Sequence, residues 1–229
     1  MEINMKKTNY FWRRMAIYII GLCIYAFGAC LTTKANVGIS PITSVSYIFT
    51  IITNLSLGIT TFIMNIVLIG IQMLLMGKEF DKKQYMQIVI SVIFSIFVDG
   101  TMLIANLFAP VSLINRTMVF VLAIFIMSIG ISLILMTKMF VLPADGVATT
   151  LAYKFKWDFG KSKVITDCCM VIITIIVSLA ALGRIEGIQV GTVVTALMLG
   201  NIARVILKII RNPINKFINN EEVQLDTSN

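Results

Sequence analysis

Residues 28–65 read GACLTTKANVGISPITSVSYIFTIITNLSLGITTFIMN, and residues 130–167 read GISLILMTKMFVLPADGVATTLAYKFKWDFGKSKVITD. Offset by 102 positions without a gap, Gly28 falls on Gly130, Leu31 on Leu133, Pro41 on Pro143, Val45 on Val147, Gly58 on Gly160 and Ile63 on Ile165, while Asn65 meets Asp167. Six identities over 38 positions is a modest score in an apolar chain. The kinds of residue that recur carry more, because Gly and Pro set backbone geometry directly. The spacing predicts an internal duplication in which each copy runs through a helix, an irregular linker and a short helix.

Working outward, composition fixes the class. Of 229 residues, 58% are hydrophobic and 13% charged, and several apolar runs approach or exceed 20 residues, which is the pattern of an integral membrane protein. The net charge of +8 sits between the apolar runs, so it is read as anchorage to an anionic leaflet of the lipid bilayer; no nucleic-acid partner is expected. The chain has no histidine, which removes imidazole metal sites, haem ligation and histidine proton relays. Cys23, Cys30, Cys168 and Cys169 lie inside apolar runs without zinc-site spacing and read as packing residues. No cofactor and no metal site is expected. Neither a paired-acid motif nor a nucleophile–base set is present, so the chain does not read as an enzyme.

In chain order, residues 1–14 form a basic, cytoplasmic N-terminal segment. The first apolar run has no small-x-small cleavage site, so an uncleaved helix over 15–33 is expected, with Gly21, Ala26, Gly28 and Ala29 as small packing surfaces. Lys34 to Ser40 has turn chemistry. Pro41 suits a first helical position and Ser40 an N-cap, and the segment 41–54 that follows rises only about 21 Å, short of a bilayer core of about 30 Å. Full helices are expected over 59–77, 85–108, 117–137, 164–182 and 189–210, with a second short helix over 143–153. The first repeat thus occupies 15–108 and the second 117–210, and 211–229, with Pro213 as a stop, reads as a loose cytoplasmic tail. Phe11, Trp12, Phe155 and Trp157 fit interfacial aromatic belts.

Cationic residues arbitrate between two topologies. If 41–54 and 143–153 are re-entrant, leaving six spans, 15 of the 19 Lys and Arg fall on the cytoplasmic side and only Lys34, Arg116 and Arg184 outside. If both short helices span, the count becomes 12 against 6. The positive-inside rule favours six spans. Each repeat then holds three spans and one short helix, and the two copies face opposite ways. The expected fold is an all-α integral membrane protein with six transmembrane helices and two short re-entrant or half-helices, arranged as two inverted repeats, an architecture that places binding sites near the midplane. Irregular backbone at that depth implies a cavity.

The candidate binding residues follow. Ser40, Pro41 and Thr43 in one copy and Pro143 in the other open the short helices, whose N-termini present unpaired N–H groups and a partial positive charge. Asp145 either compensates its own helix dipole or meets a solute or coupling cation. Asp99 is a carboxylate deep in a span, where it either pairs with Lys34 or Arg184 or couples an ion or proton. Asp167 stands four residues after Lys163, as an i,i+4 ion pair would, yet matches Asn65 in the other copy, so both are cavity candidates. Gly187 to Thr192 with Gly200 reads as close helix packing, since a phosphate loop would need a preceding strand and a Lys.

At Gly38-Ile-Ser40-Pro41-Ile-Thr43-Ser44, Phe97-Val98-Asp99, Leu142-Pro143-Ala144-Asp145-Gly146, Phe159-Gly160-Lys161-Ser162-Lys163-Val164-Ile165-Thr166-Asp167 and Gly187-Ile-Gln-Val-Gly191-Thr192, the chain resembles the YczE/YyaS/YitT-like bacterial membrane proteins, over about residues 15–208. Many of those proteins carry Trp after the first proline, where this chain has Ile42. The resemblance implies a multi-pass protein of a bacterial plasma membrane and supplies no substrate. The expected function is transport or channelling of a small polar solute. The alternatives are the substrate-binding membrane subunit of an energy-coupling-factor-type importer, or a non-transporting accessory protein. Small-residue helix faces leave room for a partner membrane subunit or a second copy. Both termini are expected in the cytoplasm.

Overall fold

The structure, a computed structural model, describes residues 2–108 and 110–218. Among the described residues eight α-helices follow one another: α1 (Glu2–Ala35), α2 (Pro41–Thr53), α3 (Leu57–Met76), α4 (Met86–Ala105), α5 (Leu113–Thr137), α6 (Pro143–Phe155), α7 (Phe159–Leu182) and α8 (Val190–Ile218). Single 3-10 turns lie at Gly77–Glu79, Lys82–Tyr85 and Asn106–Phe108, and no strand occurs among the described residues. The chain is an all-α multi-pass membrane protein. Among the described residues six helices are long and apolar enough to cross a bilayer, whereas α2 and α6, at 13 residues each, rise only about 20 Å.

Helix ends recur at the 102-residue offset. Among the described residues four non-glycine residues have positive φ, and they form two pairs at that spacing. Asn36 and Lys138 follow α1 and α5, while Asn54 and Lys156 are the left-handed C-caps of α2 and α6. Ser56 and Asp158, again 102 apart, cap α3 and α7 by accepting from Ile59 and Gly160 backbone N–H groups. These caps terminate each helix by local chemistry, so their recurrence is more telling than the apolar identities between them.

The centre is the crossing of α1 and α5. A Cβ on Gly28 would come within 2.5 Å of Met127 Cγ and 2.7 Å of its backbone N, and one on Gly130 within 2.5 Å of Tyr25 N. Gly21 faces Gly130 and Leu133, so contacts rise along one helix as they fall along the other, and the two run antiparallel. Small residues let the backbones approach where lipid offers no hydrophobic drive for association. By contrast α4 runs parallel to α1: the rings of Tyr25 and Phe94 lie 5.8 Å apart, and one turn on Cys30 Sγ donates to Val98 O and accepts from Thr101 Oγ1. In the second half Ser128 Oγ donates to Leu199 O and Ser132 Oγ to Ala203 O, which makes α5 and α8 parallel as well. Eight alternating spans would oppose α1 and α4; six spans with α2 and α6 turning back give the directions found. Each short helix is also the first arm of a hairpin, closed by the turns 54–56 and 156–158.

The short helices pack across the halves, α2 against α7 and α6 against α3. Ser44 of α2 shares a 3.0 Å hydrogen bond with Thr174 of α7. At the equivalent place Gly146 of α6 lies against Gln72 of α3, whose Nε2 donates to Pro143 O at 2.9 Å. Gln72 and Gln87 also exchange amide hydrogen bonds at 3.1 and 3.2 Å, which satisfies two polar side chains inside the bundle. The halves differ in their packing: α3 packs closely on α4, and no comparable contact joins α7 to α8 among the described residues.

Several expected boundaries are corrected. The N-terminal basic segment is helical and continuous with α1, because Lys and Arg are good helix formers and nothing before Ala35 interrupts the run. α7 begins at Phe159, since Asp158 caps it, so Lys161 and Lys163 belong to the helix and not to a loop. α5 starts earlier than expected, at Leu113 behind the Ser112 cap. α8 does not stop at Pro213 and continues to Ile218. The rest of the expected tail, 219–229, lies outside the described residues.

Candidate functional site

The first turns of α2 and α6 face a common space. A cavity of about 40 Å³ is bounded by Ile42, Thr43 and Ser46 of α2, Leu57, Thr61 and Asn65 of α3, Leu142 before α6, and Ala144 and Asp145 within it. Tyr25 and Ala29 of α1 with Phe94 and Val98 of α4 complete it. One buried water needs on the order of 10–15 Å³ on this scale, so about three fit. Asn65 lies eight residues into α3, about 12 Å from its start, which places the cavity well inside the bundle.

Beneath the two proline turns, the first turns are held by an apolar cluster built from pairs at the 102-residue offset: Ile42 with Ala144, Val45 with Val147, and Leu68 with Met170. Pro41 and Pro143 are buried at the first helical positions. Their fixed φ suits helix entry, and the missing N–H leaves no orphan donor there. Ser40, also buried, caps α2: its Oγ accepts from Thr43 N at 3.3 Å and donates to Thr43 Oγ1 at 2.8 Å. The positive end of α2 is therefore turned partly to its own cap.

In the second half the charges converge. Lys163 Nζ lies 3.0 Å from Asp145 Oδ1 and 3.1 Å from Asp167 Oδ1, so one ammonium bridges two carboxylates. Asp167 thus makes the i,i+4 pair and, unlike Asn65, is not among the residues that line the cavity; its partner Lys163 also holds Asp145. Asp145, whose side chain is 22% exposed, meets the cavity. The Tyr25 phenol is within electrostatic reach of all three charged groups.

Transferring those positions by 102 residues gives Thr43 for Asp145, Thr61 for Lys163 and Asn65 for Asp167, and all three line the cavity. One half thus presents a charged triad and the other a neutral polar triad. Asn65, Thr61 and Ser46 are 5%, 9% and 1% exposed. Their side chains make no hydrogen bond to any described residue, although most hydroxyls in these helices bond back to a carbonyl one turn earlier, as Thr60 and Thr174 do. Tyr25, Ser46 and Thr61 escaped the sequence reading because nothing in an apolar run shows which hydroxyls remain free. The 102-residue offset applied to Asp145 and Lys163 was the available signal for Thr61.

Asp99 stands elsewhere. It pairs with neither Lys34 nor Arg184 and does not line the cavity; its Oδ2 accepts from Ser56 Oγ and its Oδ1 from Gly58 N, both at 2.7 Å. A carboxylate at a helix N-terminus meets orphan donors and the positive end of the dipole, so its cost inside the bundle is offset there. Arg184 instead pairs with Glu186 at 2.8 Å.

A second, larger and more open cavity of about 340 Å³ shares Leu142 and Asp145 with the first. It is otherwise lined by the end of α5 and its linker (Ile131 to Val141) and by Thr149 and Phe159. Leu142 and Asp145 stand where the two spaces adjoin.

Among curated proteins and among solved structures no match is found. One family matches, DUF6198, described as a family of unknown function, over residues 12–208.

Proposed function

The chain belongs to the DUF6198 family, and we propose that it moves a small polar solute across a bacterial plasma membrane, using two inverted repeats with both termini in the cytoplasm. The observation that carries this reading is the cavity between the first turns of α2 and α6, lined by side chains with hydrogen-bonding capacity left unused. A merely structural polar cluster would be expected to satisfy itself. The antiparallel crossing of α1 and α5 supports the inverted arrangement, since a two-fold relation between antiparallel helices lies across their axes. The wider cavity sharing Leu142 and Asp145 supports a route that ends on the side of the α5–α6 linker, which the charge distribution makes cytoplasmic.

In this mechanism the solute occupies the space between the neutral and the charged triads. Access changes by rocking one half against the other about the α1–α5 crossing. Closing the Leu142–Asp145 side and opening the other would exchange the roles of the equivalent residues. The test is thermal unfolding of the purified protein against a library of amino acids, small acids, amines, sugars and inorganic ions. A solute that binds only the folded state raises the midpoint with concentration. The reading expects at least one such solute, with its effect lost in Asn65→Leu. Stabilisation that persists in Asn65→Leu would put the site elsewhere.

A further inference from the structure

We infer that the cavity is a binding site for a monovalent alkali cation, held by Asp145, Asn65 and the hydroxyls of Thr43, Ser46 and Thr61. The inference deepens the transport reading and rests on it for the choice of site. Its first support is charge. Lys163 is shared by Asp145 and Asp167, so the triad carries two carboxylates and one ammonium, a surplus of one negative charge beside the cavity. The ion pairs engage one oxygen of each carboxylate, which leaves the second oxygen of Asp145 for another partner. A surplus charge within a membrane bundle calls for compensation.

The second support is independent of charge. Ser46, Thr61 and Asn65 are each at least nine-tenths buried, line the cavity and have side chains that bond to no described residue. Together with Thr43 and Asp145 they form a set of hard oxygen donors, which suits alkali and alkaline-earth cations over soft metals. Among the described residues no three His, Cys, Asp or Glu converge, so one carboxylate with neutral oxygens favours a single positive charge over a divalent ion. The third support is size. About 40 Å³ holds an ion or a few waters but no organic solute of more than a few atoms in this conformation. Ser40 already caps α2, and although α6 has no side-chain cap, the Asp145 carboxylate stands in its first turn and opposes an anion there.

The experiment uses the full chain in lipid nanodiscs and measures thermal unfolding in sodium, potassium or choline chloride at equal ionic strength and pH. At least one alkali salt should raise the midpoint above that in choline, saturating with concentration. Asn65→Leu should abolish the difference, and Ser46→Ala should shift saturation to several-fold higher concentration. Asn65→Asp, which adds a carboxylate to the donor set, should saturate several-fold lower. Asp145→Asn strands Lys163 and can fail to fold, so the three variants outside the ion pairs decide. Equal midpoints in all three salts for the wild type, or an alkali effect unchanged in Asn65→Leu, would overturn the inference, as would stabilisation by protons alone. Solute flux in proteoliposomes separates this from the transport reading. Flux without an alkali effect removes the cation site only, whereas an alkali effect without flux for any solute removes transport and leaves the site.

Discussion

Gly28 and Gly130, 102 residues apart, face each other's half of the molecule in the same way: Gly28 lies against Met127, Gly130 against Tyr25, and Tyr25 and Met127 are themselves 102 residues apart. This is the signature of an isologous contact, in which one patch meets its own equivalent. Tyr25 carries the crossing directly to the cavity wall.

Substitution at that crossing should be costly. Gly28→Val and Gly130→Val each place atoms where the partner helix already stands, and should lose about 1–3 kcal/mol or fail to assemble. Gly70→Ala, with no atom within 4 Å of a new Cβ, should be neutral or slightly stabilising. Thermal unfolding in detergent reads all three; equal losses at Gly70 and Gly28 would remove the close-packing argument.

Asp99 should behave as a capping residue. Asp99→Ala leaves Gly58 N–H and Ser56 Oγ without their acceptor and should cost about 1–3 kcal/mol. The folded fraction should keep the ligand response of the wild type. A variant of normal stability that has lost that response would instead place Asp99 in the mechanism.

The seat of α6 can be tested by a double-mutant cycle. Gly146→Ala should clash with Gln72, whose amide lies 2.6 Å from the new Cβ, and Gln72→Ala should lose its bonds to Pro143 O and Gln87. Combined, the two should couple by about 0.5–3 kcal/mol, the second substitution relieving the first. Strict additivity would mean that α6 is not held by Gln72.

Much of this was legible in the sequence, and the residues show why. Pro41 and Pro143 declare their positions because a proline with fixed φ at a helix start is a local signal. The six long helices follow from the length of their apolar runs. Asp99 was not legible as a cap, since its partners on α3 are more than 40 positions away and only tertiary packing brings them together. The pairing of Gln72 with Gln87 and the bond to Pro143 were not legible, since they depend on how α6 is seated. The free state of Ser46, Thr61 and Asn65 is likewise a property of the fold.

Topology predicts a labelling pattern. In a background without Cys23, Cys30, Cys168 and Cys169, cysteines at Leu55 and Val111 should react with an impermeant reagent from outside the cell. Those at Glu79 and Lys156 should react only after the membrane is opened. External reaction at Glu79 with protection at Leu55 would favour α2 as a full span.

A transport path requires that water reach the space between α2, α3 and α6. Ser46 tests it most directly, because it is 1% exposed yet lines the cavity, while Ile48 on the same helix is 0% exposed and packs in the core. The measurement is the rate at which Ser46→Cys and Ile48→Cys, each in the cysteine-free background, react with a small water-soluble methanethiosulfonate in membrane vesicles. Ser46→Cys should react, a stabilising ion or solute should slow it, and Ile48→Cys should stay unmodified. Two equally inert cysteines would contradict such a path and leave the cavity a sealed structural pocket.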